Sequence, residues 1–399
     1  MSFIHLTEPH GARGQWPILA LGFRPFFLLA AIMAAAAVPL WLLIHQGAIE
    51  PMSSLPPTVW HGHEMVFGFA AAVIAGFLLT AATNWTGRRT ATGAGLAALA
   101  GLWIAGRVAL IVPGVPVWLA IGIDVAFLPA LAIVLAIPLL ATGNRRNVVF
   151  PVVLTVLGLI NLAIHLGSIG AIDWDPSRGL RIAIDLILLV IGVLGGRVIP
   201  SFTKNALPHA KVSPCPKASV LALLSIAALA MAEVATDNTT MTGSVALAAG
   251  LVNALRMRGW GTFATLRHPI LWILHVGYAW LAAGLILRGA AELTGFVPLD
   301  AGIHALTIGA VGSMIVGMMT RVALGHTGRS IVPAPLTVAA YWLVNAAALL
   351  RVVFALTWDD TLRTVSLMGS GVLWSLAFAF FAIVYWPILS RPRADGRAG

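Results

Sequence analysis

Trp60-His61-Gly62-His63-Glu64-Met65 is the densest run of chemically capable side chains in this 399-residue sequence: two imidazoles, a carboxylate and a thioether within six positions. On a regular helix, side chains two apart point ~200° away from each other, from ~3.6 residues per turn. His61 and His63 therefore address different neighbours instead of sharing one metal ion. His61 shares a face with Met65 and, roughly, with Glu64. His63 has a counterpart elsewhere, because the stretch from His63 to Arg88 aligns without a gap to the stretch from His304 to Arg329. Eight of the 26 aligned positions are identical, including His63/His304, Thr86/Thr327 and Arg88/Arg329. Two neutral imidazoles at one depth, on helices gathered around a shared axis, can fill both axial positions of a haem iron. That makes His63 and His304 the leading pair of candidate cofactor ligands, with Arg178, Arg181 and Arg351 as cations for the propionates. His61 with His165, and with His45, forms a second candidate metal set, since imidazole suits copper, iron and zinc alike. The plainer alternative for each histidine is a hydrogen-bonded contact between helices.

Those residues must be positioned by apolar helices. The chain is 59% hydrophobic and only 10% charged, against ~25% charged in soluble domains. Twelve stretches approach the ~20 residues that span hydrocarbon. They run about 25 to 46, 60 to 83, 93 to 112, 116 to 140, 147 to 171, 180 to 202, 218 to 236, 243 to 258, 269 to 290, 299 to 323, 334 to 357 and 364 to 389. An even number places both termini on one side, so the distribution of Lys and Arg tests both the count and the sidedness. Eighteen of the 24 basic residues, from Arg13 to Arg397, fall on the side of the termini. Only Arg107, Arg178, Arg181, Arg288, Arg351 and Arg363 fall on the other. The termini are thus expected in the cytoplasm. On that topology His45, His61, His63, Glu64, Arg107, Asp124, His165, Asp185, Glu233, His304 and Arg351 form one polar layer toward the outer face. Ionisable groups in hydrocarbon are costly enough to be functional candidates. Asp124 with Arg107 reads as an interhelical ion pair, and Asp185 and Glu233 as analogues or proton-relay groups.

The sixth span carries a weaker third copy of the repeat, Gly196-Arg197-Val198-Ile199-Pro200-Ser201-Phe202-Thr203, without a histidine at its outer end. The expectation is an all-α polytopic membrane protein, a single transmembrane domain over 1–399, made of three pseudo-symmetric four-helix units at about 1–140, 141–258 and 259–399. The net charge of +10 lies in short loops where the positive-inside rule puts it, so nucleic acid is not an expected partner. Cys215, the only cysteine, sits in a Pro-Cys-Pro turn. There is accordingly neither a disulfide nor a Cys-x-x-Cys-His for covalent haem, and no cleaved signal is expected over residues 1–18. His209, His268, His275 and His326 lie at the inner ends and are expected to cap or to be solvated.

Gly22-Phe23-Arg24-Pro25-Phe26-Phe27, the Trp60–Met65 run, Asn84-Trp85-Thr86-Gly87, Gly196 to Thr203, His304 to Gly309 and Gly325 to Arg329 together closely resemble the NnrS family. The resemblance spans essentially the whole chain. It implies a bacterial cytoplasmic-membrane protein containing non-covalent b-type haem and copper, associated with denitrification and the response to nitric oxide. The architecture is also similar to subunit I of haem-copper oxidases and nitric oxide reductases, where histidines of the second and tenth helices hold a low-spin haem. His63 and His304 match those positions by helix and depth. The tenth span lacks a His-x-His, however, and the sixth and seventh have no histidine, so an oxidase-type binuclear centre is not expected. A redox role would draw electrons from a partner at the outer face, because the chain has no iron–sulfur cysteines and no dinucleotide fingerprint. The other classes are a transporter, for which many helices with internal repeats are ordinary, and a sensor that binds haem and nitric oxide without turnover.

Overall fold

The computed structural model describes residues 16–357 and 359–397, so Arg13 lies outside the described residues. The described residues are helical and contain no strand. The long helices are α1 (Phe23–His45), α2 (Pro57–Thr86), α3 (Gly93–Ala109), α4 (Val117–Ala141), α5 (Val149–Ser168), α6 (Pro176–Ala206), α7 (Pro216–Ala235), α8 (Thr239–Arg256), α9 (Pro269–Thr294), α10 (Leu299–His326), α11 (Pro335–Ala355) and α12 (Asp360–Leu389). Prolines open α2, α6, α7, α9 and α11, where their missing N–H costs nothing. Asp175, Asn238 and Asp359 cap α6, α8 and α12 through side-chain acceptors. Gly87 and Gly295 end α2 and α9 in the left-handed region, at φ of 67° and 68°, which glycine reaches without a Cβ penalty.

Ten of these helices are long and apolar enough to cross a membrane. The sequence led to an expectation of twelve spans, and the two outside the ten are α3 and α8. α3 is apolar but has 17 residues. α8 has 18, and its threonines, Asn253 and Arg256 dilute its hydropathy; it begins at Thr239, a few residues before the expected 243.

α2, α6 and α10 pack on one another at the centre, and α1 packs along α12. Close approach substitutes for the hydrophobic drive that lipid does not provide between helices. A Cβ at Gly250 on α8 would lie 2.8 Å from the Ile286 backbone N on α9, and one at Gly302 on α10 would lie 2.7 Å from that of Arg288. Helix-to-helix contact there is backbone against backbone.

The first and last helices are tied at one point. Arg24, fully buried near the start of α1, donates to the carbonyls of Leu389 at 2.9 Å and Arg391 at 2.8 Å. These carbonyls lie at and just beyond the end of α12, where the intrahelical donors run out. Beyond it, Ala394 N–H donates to the Thr327 carbonyl at 2.9 Å. Arg24→Ala is expected to cost ~1.5–3 kcal/mol, the range for hydrogen bonds made by a charged group. It should also speed tryptic cleavage after Arg393 several-fold; an unchanged cleavage rate would show that this contact does not hold the C-terminal segment.

Candidate functional site

The motif at the start of α2 behaves as its helical spacing predicts. His61 faces one side, His63 the other, and directly after His63 the backbone widens into a π-helical stretch, Glu64–Ala70. α10 does the same directly after His304, over Ala305–Gly312. The two helices that align in sequence thus share a wide turn immediately beyond the aligned histidine. Such turns concentrate at functional positions because the extra residue re-aims the side chains around it.

A cavity of about 530 Å³ opens between the starts of α2, α6, α10 and α12 and the ends of α1 and α11. Its polar lining includes His45, His61, His304, Arg181 and Arg351, and most of the remainder is apolar. Trp41 lies between two of the histidines, stacked on His61 at 4.2 Å and on His45 at 5.1 Å, which fixes the plane of the His61 ring. His61 Nδ1 is buried without a partner. His304 Nδ1 lies 2.8 Å from the Asp300 carbonyl. An acceptor there requires the N–H on Nδ1, which leaves the His304 Nε2 lone pair free. That is the orientation of a metal-binding imidazole. Of the two arginines on the wall, Arg351 reaches Asp300 at 3.7 Å and Arg181 reaches Glu233 Oε2 at 3.3 Å.

The structure does not bring His63 and His304 together. His63 is fully buried on the far side of α2, toward α4 and α5. Its Nδ1 is 3.1 Å from Glu64 Oε1, and its Nε2 is 2.8 Å from Asn161 Oδ1 and 3.2 Å from Asp124 Oδ2. His165 Nε2 lies 2.9 Å from the same Asp124 oxygen, and Asn161 Nδ2 donates to it at 2.8 Å. Arg107 closes the network, bonded to Glu64 Oε1 at 3.0 Å and to Asp124 Oδ1. The expected Arg107–Asp124 pair is therefore present. His165, which the sequence reading grouped with His61 and His45, stands here apart from both. His63, Asp124 and His165 each turn one ligand atom inward, all within 4.8 Å of one another.

A second buried network lies between α6, α7 and α9. Arg288, fully buried, donates to Asp185 Oδ1 at 2.9 Å, to Glu233 Oε1, and to Glu292 Oε1 at 3.0 Å. Asp185 and Glu233 were singled out from sequence, whereas Arg288 and Glu292 were not. The missed signal was an arginine followed four residues later by an acid inside an otherwise apolar span, a helix-face pair. Arg178 does not line the cavity. Its guanidinium spans the end of α7, from Asp237 Oδ1 at 2.7 Å to the carbonyls of Glu233, Val234 and Thr236. At the opposite end of the bundle His275 is buried between the Thr203 and Thr262 hydroxyls, at 2.9 and 3.0 Å, so it is bonded and not solvated. His326 lies against the Phe23 ring, with centroids 5.7 Å apart.

No curated protein is significantly similar to the chain. The family described as NnrS protein matches residues 17–393. That span takes in the Arg24 clamp, the Trp60–Met65 motif, both π-helical stretches and every side chain of the cavity and of the two networks. The chain therefore belongs to the NnrS family.

Proposed function

We propose that the cavity holds a non-covalently bound haem between His61 and His304, and that the protein acts in nitric oxide metabolism or defence against nitrosative stress. The observation that carries this reading is the pair of imidazoles that two different helices bring to one cavity. His304 is oriented by the Asp300 carbonyl, and His61 is braced by Trp41 with a buried nitrogen that has no protein partner. The cavity volume falls within the ~300–1,000 Å³ of cofactor sites, and its largely apolar lining suits a macrocycle. Arg181 and Arg351 supply two cations for two propionates. On this reading His61, and not His63, would hold the haem together with His304. A haem held there would supply an iron able to carry electrons and to bind a diatomic ligand such as nitric oxide.

The chain's own residues exclude water with Trp41 and Trp374, position the two imidazoles, and balance charge with the two arginines. His63, Asp124 and His165 are the set we assign to copper, because a nitrogen and oxygen donor group of this kind suits it. On the charge bias of the loops, all twelve helices cross the bacterial cytoplasmic membrane with both termini inside. The cavity then opens to the outer face, where an electron-donor partner would dock. Purified full-length protein in detergent should show a Soret band with stoichiometric iron, and copper by elemental analysis. A colourless, iron-free preparation from haem-replete cells would refute the haem assignment.

A further inference from the structure

The network around Arg288 contains one negative charge too many. Three carboxylates, Asp185, Glu233 and Glu292, face two guanidinium groups, Arg288 and Arg181. The neighbouring Arg178 is spent on Asp237 and on the carbonyls that end α7. These are the charged groups brought together here by α6, α7 and α9. Arg288 and Asp185 are both fully buried, and an uncompensated carboxylate in such surroundings is far costlier than a neutral carboxylic acid.

The excess charge can be placed on one side chain. Both Glu233 oxygens accept from arginine, Oε1 from Arg288 and Oε2 from Arg181. Asp185 uses Oδ1 on Arg288, while its Oδ2 is buried with no donor at all. Glu292 also has one oxygen without a partner, but its side chain keeps 8% of its exposure against none for Asp185. A metal ion is a poorer answer than a proton, because the Arg288 guanidinium occupies the centre on which the three carboxylates converge. Among the described residues, the metal-ligand grouping of histidines and acids is the one at His63, not this one.

We propose that Asp185 is a proton-binding site. It carries the cluster's one proton on Oδ2 and so keeps the cluster neutral beside the cavity. Arg181, one helical turn before Asp185, lines the cavity and is held by Glu233. An anion entering the cavity and drawing on Arg181 strengthens the hold on that proton, whereas an added cation weakens it and sends the proton to solvent. The assignment rests on α6, α7 and α9 and not on what occupies the cavity.

Infrared spectroscopy of the full chain in lipid at neutral pH tests the proposal. The expected result is a carboxylic-acid C=O band that shifts in D2O, is lost in Asp185→Asn and persists in Glu292→Gln. Asp185→Asn should fold with an unchanged unfolding midpoint, because asparagine is the neutral near-isostere of the protonated acid. Absence of the band in the parent protein, its survival in Asp185→Asn, or failure of that variant to fold would each overturn the assignment. A colourless protein that still showed the band would count against the haem alone.

Discussion

Alanine at either His61 or His304 is expected to abolish the six-coordinate haem spectrum, and the double variant to lose haem-derived iron by tenfold or more. His63→Ala should keep the wild-type Soret position. The contrast follows from where the rings point. His61 and His304 line the cavity, whereas His63 is not part of its lining and meets Glu64, Asn161 and Asp124 on the other side of α2. Far-ultraviolet circular dichroism should be unchanged for the cavity variants, since neither ring bridges two helices by a hydrogen bond. His304 bonds only to the Asp300 carbonyl one turn earlier on its own helix. If His63→Ala bleaches the protein while His61→Ala does not, the axial pair is the one drawn from the sequence repeat, and the orientation seen here is not that of the haem-bound state.

The largest loss of stability should come from Arg288→Met. Methionine keeps the apolar stem but removes the group on which three carboxylates converge. Breaking a buried pair by deleting one partner typically costs ~3–5 kcal/mol, and here more than one acid is stranded. The variant should vanish from the monodisperse peak in detergent size-exclusion chromatography after mild heating that the parent survives. Adding Glu233→Met and Glu292→Met should recover part of the loss, because the residual penalty lies in the stranded charges. An Arg288→Met protein as heat-resistant as the parent would mean that water reaches the cluster and screens it.

Much of this was legible in the residues. Apolar length identified the helices. The cost of charge in hydrocarbon correctly singled out Arg107, Asp124, Asp185 and Glu233, which the structure shows in ion pairs. The direction of each histidine was harder to read. Alignment of His63 with His304 matches position along the helix, but the direction a side chain takes depends on the local winding and on which neighbours offer partners. Asn161 and Asp124 lie 98 and 61 residues from His63, and no helical spacing links them. His61, two positions earlier, had no aligned partner and so ranked lower. α8 shows a different limit, since its Asn253 and Arg256 are buried against Tyr278 and Gly192, contacts that offset the polarity which hydropathy counts against a span.

The Arg24 clamp also bears on how the protein is made. Synthesis runs from α1 to α12, yet two acceptors for the Arg24 guanidinium, and the Ala34 carbonyl's donor Trp374, lie in or just beyond the last helix. A nascent chain therefore carries a cationic residue near one end of its first inserted segment for almost the whole of translation before those partners emerge. A chain that ends before α12 leaves the opening helix without the companion along which it packs. The bond between the two ends of the chain thus forms only once the last helix has been made.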